Sequence, residues 1–201
     1  MRTEQVMKKT VWPGSTQLAP VPAVLVGCGN GAELKYNLLT VAWVGTVCSD
    51  PPMLAIALRP ERFSYDLVSE TGEFTVNLPG HELAAAVDKC GVISGRDCDK
   101  FQVCNLTPHP GTQVASPLVV ECPVNLECRV ERTIPLGSHT LFIGRILAVQ
   151  VDSALISPSG KFDIDRAGLL AYAHGHYYEL GRCIGHFGFS VRKKPGPRVR
   201  K

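Results

Sequence analysis

Short apolar runs separated by glycine and proline dominate the chain, and their spacing favours strands. Pro22 to Gly27 is a compact apolar run ended by the turn-forming Cys28-Gly-Asn-Gly31. Asn37 to Val47 is a second run, rich in Val and Thr, and Met53 to Leu58 is a third. Between them lies Ser49-Asp-Pro-Pro52, where proline is tolerated only in the turn itself. A short helix is expected over Ser64 to Ser69, ended by Gly72, and then a strand over Phe74 to Leu78. A second helix is expected from about His81 to Cys90, entered after Pro79-Gly80 and stopped by Gly91. From 118 to 130, Leu118, Val120, Cys122, Val124, Leu126, Cys128 and Val130 alternate with a polar set that includes Glu121, Asn125, Glu127 and Arg129. Strict period two predicts one long, half-buried antiparallel strand. Pro135-Leu-Gly-Ser138 then turns the chain into Thr140 to Val151, predicting a hairpin. The segment after Asp152, through Leu169 to Tyr178, reads as a loop-rich excursion that ends on the sheet. Many strands with only two brief helices predict a mainly β protein, a closed barrel in preference to a doubly wound sheet.

Composition narrows this picture. The 201 residues are 45% hydrophobic and 19% charged, enough for one domain with a real core and too short for two. The formal charge is +3, but six Lys or Arg fall in Arg192 to Lys201, leaving more acids than bases in the rest. We therefore expect one domain over 1–191 and a basic, solvated tail over 192–201. No basic face with interleaved aromatics suggests nucleic-acid binding. No apolar stretch is long enough for a membrane span, and the N-terminus lacks the apolar core of a signal peptide, so a soluble, cytoplasmic protein is expected. In that reducing setting the eight cysteines, none in a C-x-x-C, read as mostly buried free thiols.

The usual phosphate-binding loops are absent: there is neither G-x-G-x-x-G after a strand nor a P-loop. The second run instead carries Thr40, Trp43, Thr46, Cys48 and Ser49, many hydroxyls for so apolar a stretch. The third run leads into Arg59-Pro-Glu-Arg62-Phe-Ser64-Tyr65 at a helix start, where backbone N–H groups and the helix dipole favour an anion. Arg59 or Arg62 with Ser64 would hold a phosphate there. No Cys or Ser sits in a nucleophile motif, and Cys48 has no partner thiol nearby. His174, His176, Cys183 and His186 read as a plain loop, not a metal site, and no metal is expected.

Five segments in order are similar to one family: Asn37 to Pro52, the strand ending at Arg59, Glu73-Phe-Thr-Val-Asn77, Ser94-Gly-Arg-Asp-Cys-Asp-Lys-Phe101 and Gly137-Ser-His-Thr-Leu-Phe-Ile-Gly144. They resemble the flavin reductase-like domain, and within it the flavoredoxin group, from about residue 15 to about 185. The resemblance implies a Greek-key split β-barrel, a homodimer, and one FMN per subunit near the interface. It implies backbone contacts to the flavin from Ala42, Thr46, Val47 and Cys48, with Ser49 ending that segment and Trp43 and Thr40 toward the ribityl-phosphate end. Arg62, Phe63, Ser64 and Tyr65 would close around the phosphate, with Leu58 and Arg59 beside the ring. His139 would stand at the flavin edge, contacting a nicotinamide or donating to reduced flavin, and Lys100 would meet a flavin carbonyl or an anionic donor. The implied activity is electron transfer through FMN, fed by NAD(P)H or by a redox protein partner. The alternatives are an NAD(P)H-dependent reductase of free flavin or ferric iron, and a non-enzymatic FMN-binding module.

Overall fold

The computed structural model describes residues 8–191; the basic segment 192–201 lies outside the described residues. Among the described residues, twelve strands, three short α-helices and three 3-10 turns follow one another. Seven strands form the main sheet: β2 (Val24–Cys28), β3 (Asn37–Val41), β4 (Val44–Ser49), β5 (Pro52–Leu58), β6 (Glu73–Leu78), β9 (Val124–Pro135) and β10 (Thr140–Val151). Their order is β3-β2-β6-β9-β10-β5-β4, with all pairings antiparallel. β3 and β4 are thus the two ends of the sheet, yet only Ala42 and Trp43 separate them in the chain. That dipeptide closes the barrel, and the Ala57 N–H donates to the Trp43 carbonyl at 3.0 Å beside it. The run expected as one strand over Asn37 to Val47 is therefore two strands on opposite edges.

Val24, Val26, Leu39, Leu54, Ile56, Phe74, Val76, Cys128 and Phe142 fill the barrel, with Leu67 and Val68 of α1 (Phe63–Thr71) packed against them. β10 passes Phe74 as glycine: a Cβ on Gly144 would stand 2.7 Å from the Phe74 ring. A second core lies outside the barrel, where α2 (Ala84–Val92) and α3 (Lys100–Val103) cover Leu25 and Leu38 with Val87, Cys90 and Phe101. β2 is buried on both faces, which is why Pro22 to Gly27 reads as an unbroken apolar run. Gly91 does not stop the second helix; it lies inside α2, where its missing side chain lets the helix sit against Thr40. The helix at Lys100 is an element that the sequence pattern did not predict.

The strand expected over 118 to 130 is interrupted. β8 (Pro117–Val119) pairs with β7 (Pro108–Pro110), residues 120–123 turn, and Val120 faces outward. Asn125 and Glu127 of β9, expected on a wet face, are buried because the segment from Gly111 to Val119 folds over them. Glu127 accepts from Thr112 Oγ1 at 2.8 Å, the Gln113 and Val114 N–H groups at 2.6 and 3.2 Å, and Gln150 Nε2 at 2.9 Å. Burial alone would raise its pKa, but these donors outweigh it and hold the carboxyl below the usual range. The β9–β10 hairpin forms as predicted, with Thr140 opposite Pro135. The C-terminal excursion supplies β11 (Leu170–Ala173) and β12 (His176–Glu179), which pair with β1 (Val21–Pro22) as a separate three-stranded sheet. No helix among the described residues is long and apolar enough to cross a membrane.

Candidate functional site

Two cavities meet at the barrel seam. The larger, about 440 Å³, is walled by the β3–β4 junction (Thr40, Val41, Ala42, Trp43), the end of β5 (Leu58, Arg59), Arg62, His139 and the β11–β12 hairpin. The smaller, about 230 Å³, is lined by Asn37, Arg62, Phe63, Ser64, the loop Ser94-Gly95-Arg96, and Lys100. Leu39 and Arg62 line both, so the two are neighbouring parts of one site.

The smaller cavity carries an excess of positive charge: Arg62, Arg96 and Lys100 line it with one acid, Glu61, whose carboxylate pairs with Arg59. It lies at the N-terminus of α1, whose first N–H groups have no helical partner. Arg62 is the N-cap residue of α1, and its side chain makes no capping bond. Arg96 is held in place by Asp66 at 2.9 Å and the Glu61 carbonyl at 3.2 Å, with its guanidinium 5.2 Å from the Phe63 ring centroid. Lys100 lies in a helix that the sequence pattern did not predict. It is 3% exposed in the first turn of α3, and its Nζ donates to the Cys90 carbonyl at 2.7 Å. Burial pushes its ammonium below the usual lysine range. Among the described residues no carboxylate lies within ion-pair reach of Lys100 or Arg62. A buried ammonium with one carbonyl partner is costly unless an anion joins it. Ser64 is fully enclosed, and its hydroxyl accepts from Asn37 Nδ2 at 2.7 Å, so it braces the cavity wall.

The larger cavity is lined by apolar side chains, Leu39, Val41 and Leu58 among them, together with polar ones such as Thr40, Arg62 and His139. Trp43 is 54% exposed and meets His139 edge to face, ring centroids 5.1 Å apart. His139 Nδ1 lies 2.9 Å from Ser138 Oγ, and its carbonyl accepts from the Leu136 N–H at 2.7 Å, which fixes the hairpin tip beside β5. The Thr40 hydroxyl donates to the Val87 carbonyl and ties β3 to α2. Arg59 pairs with Glu61 at 3.2 Å, both exposed. On the opposite wall Tyr177 shares a hydrogen bond with Asp88 at 3.4 Å, and burial with that carboxylate's charge pushes its phenol up to about 12.

Of the residues singled out by sequence, Thr40, Ala42, Trp43, Leu58, Arg59, Arg62 and His139 line the larger cavity, and Arg62, Phe63, Ser64 and Lys100 the smaller. Thr46, Val47, Cys48 and Ser49 are not among the residues lining either one: they lie along β4, the exposed sheet edge, with Val47 54% exposed. Tyr65 lines neither cavity; its ring packs on Phe142, centroids 5.4 Å apart. Ser94, Arg96, Asn37 and the wall formed by His174, Gly175 and Tyr177 were missed. His174-Gly175 is a two-residue hairpin turn with both φ angles positive, +47° and +85°, so a histidine occupies a position that glycine or asparagine normally takes. The signal that could have found it was the alternation of Leu170 to Tyr178 around that dipeptide.

Known proteins share this fold. The chain is 38% identical over 136 residues to an uncharacterised protein of Archaeoglobus fulgidus, covering 68% of this chain and 75% of that one. It superposes on flavoredoxin of Desulfovibrio vulgaris (Miyazaki F) with a TM-score of 0.85 and 32% identity, covering 92% of this chain and all of the other. Flavoredoxin from Methanosarcina acetivorans gives 0.83 and 28% over the same shares. The sequence profile of the flavin reductase like domain matches residues 16–181, nearly the whole of the barrel and its C-terminal sheet, and the chain belongs to that family.

Proposed function

We propose that this chain is an FMN-binding redox protein of the flavoredoxin type, which passes electrons through its bound flavin. The observation that carries the reading is the pairing of the two cavities: one lined by a buried Lys100 with no carboxylate partner among the described residues adjoins a larger one lined by Trp43, Leu58 and Val41. That is the shape and polarity of a ligand with a phosphate at one end and a planar body at the other. Arg62, Arg96, Lys100 and the first turn of α1 would hold the phosphate, and the β3–β4 junction, Leu58 and Trp43 would border the ring. Bound there, the flavin supplies one- or two-electron redox chemistry, and the protein's part is to position and tune it. His139, fixed at the hairpin tip, would hold or deliver a proton at the edge of the cavity. The likeness to flavoredoxins at 32% and 28% identity supports a flavin as the ligand, and the single small, positively charged cavity favours FMN among flavins.

The open β4 edge, with Trp43 and Val47 each 54% exposed, supports a homodimer that covers it and brings Thr46 to Ser49 near the flavin of either subunit. Light scattering on the FMN-loaded protein tests this, and a monomer at micromolar concentration refutes it. For the activity, the FMN-loaded protein is mixed anaerobically with NADH or NADPH while the oxidised-flavin absorbance is followed. No bleaching, with flavin still reducible by dithionite, fits a carrier fed by a protein partner. Rapid bleaching would make it an NAD(P)H-dependent reductase instead, and failure to retain FMN at all would remove the proposal.

A further inference from the structure

Four cysteines, Cys90, Cys98, Cys104 and Cys122, lie on or near α2 and α3, outside the chemistry proposed above. Two of them meet. Cys90 Sγ and Cys104 Sγ are 3.5 Å apart, fourteen residues apart in the chain, one in the last turn of α2 and the other capping α3. The backbones around them are already clasped: Lys89 Nζ donates to the Val103 carbonyl at 2.8 Å, Lys100 Nζ to the Cys90 carbonyl at 2.7 Å, and Cys104 Sγ to the Ala86 carbonyl at 3.9 Å. Cys98 is turned elsewhere, its thiol toward the Ser94 carbonyl at 3.5 Å.

We propose that Cys90 and Cys104 form a reversible disulfide, with a hydroperoxide as oxidant, that staples α2 to α3. The two thiols divide the steps by exposure. Cys104 is partly exposed and meets the oxidant, whereas Cys90 is completely buried. Burial pushes the Cys90 thiol up and keeps it away from the oxidant, so Cys90 is the resolving and not the attacking sulfur. The Cys104 thiolate attacks a peroxide oxygen, the O–O bond breaks, and hydroxide leaves a sulfenic acid on Cys104. Cys90 sulfur then attacks Cys104 sulfur; the S–S bond forms, the S–O bond breaks, and the departing hydroxide takes the Cys90 proton as water. In total the two thiols lose two protons and two electrons, and hydrogen peroxide becomes two waters. The staple closes the loop that carries Ser94, Gly95, Arg96 and Lys100, four of the residues lining the smaller cavity, and pins that wall to α2.

The test uses the full chain, reduced, exposed to hydrogen peroxide, alkylated and digested with trypsin without reductant. The expected product joins the peptide 90–96 to the peptide 101–129, lighter by two hydrogens and separated again by dithiothreitol. Because 101–129 also holds Cys122 and Cys128, the link must vanish in Cys104→Ser and persist in Cys122→Ser, Cys128→Ser and Cys98→Ser; Cys104→Ala replaces the serine variant if that fails to fold. The oxidised protein should also melt several degrees higher than the reduced one, since a loop of about 15 residues is closed in the unfolded chain. Alkylation of all eight thiols after peroxide, a link from Cys90 to Cys98, or a link surviving in Cys104→Ser would each overturn the assignment. An unchanged or lowered melting temperature with the link present would overturn the claim that it staples the native arrangement. None of these readouts depends on flavin.

Discussion

Replacing Arg62 with alanine separates the two ends of the proposed ligand. Arg62 borders both cavities, has no acidic partner within reach among the described residues, and stands at the N-cap of α1. A hydrogen bond from a charged donor contributes roughly 1.5–3 kcal/mol, about 10- to 150-fold in Kd. Arg62 is exposed, so water screens its charge, and the lower end applies: about tenfold weaker FMN binding at moderate salt. The decisive comparison is riboflavin, which has the ring and ribityl chain but no phosphate. Titrations of both ligands into the wild type and Arg62→Ala, followed by quenching of flavin fluorescence, should show the loss for FMN and nearly none for riboflavin. The FMN loss should shrink as salt rises, because the wild type loses its advantage. Equal losses for the two ligands would put Arg62 against the ring and refute the phosphate placement, and no loss for either would remove the anion site altogether.

Other perturbations follow from the same contacts. His139→Ala should leave FMN bound and slow its reduction by the productive donor in stopped-flow; release of flavin, or an unchanged rate, would refute a role at the ring edge. Ser64→Ala should lower stability to urea by about 1 kcal/mol, because Asn37 Nδ2 loses its 2.7 Å acceptor in a buried site; FMN affinity measured on the surviving fold then reports any further phosphate contact. Glu127→Leu should lower stability by about 3–5 kcal/mol by stranding four donors, and Glu127→Gln by about 2 kcal/mol, since Thr112 and Gln150 can reorient to accept from the amide. The folded pKa of Glu127 lies below its ordinary 4.5, so the carboxylate's contribution is complete above that pH and is lost as pH falls through the lower folded value. The gap between wild type and Glu127→Gln in urea melts should therefore narrow only below about pH 4.5, and a gap that widens there would refute the assignment.

Local pattern revealed the strands and could not reveal how they close. The hairpin at 135–139 was legible because turn chemistry and two alternating flanks sit within a few residues of one another. The break at Ala42-Trp43 was not, since both residues continue an apolar run, and what divides it is the requirement that β3 and β4 occupy opposite ends of a closing sheet. Alternation along 124–130 correctly sorted residues onto two faces but could not say that both would be covered. The segment from Gly111 to Val119 does that, and Glu127, placed on a wet face by its charge, became the buried acceptor that anchors it. Gly91 was read as a helix stop because glycine in isolation is one, whereas its reason for being glycine is Thr40 on a strand fifty residues away.

The site divides along the same line. That Arg62, Phe63 and Ser64 share one cavity was legible because a helix start is a local device: the charge, the hydroxyl and the free N–H groups are neighbours in sequence. The other half of that cavity, Ser94 to Lys100, is contributed by a loop thirty residues on, and nothing within that loop announces that its lysine will be enclosed. A lysine beside aspartates in sequence reads as solvated; it is buried here because α3 caps the outer core with Phe101, the next residue, and draws Lys100 in with it. The burial is what gives Lys100 its meaning, since an exposed ammonium needs no counter-ion and an enclosed one does. The same packing brings Cys104 against Cys90, so the element that supplies Lys100 to the cavity wall is also the one the proposed disulfide would lock, and a change in the redox state of that thiol pair would act on that wall without touching whatever fills the cavity.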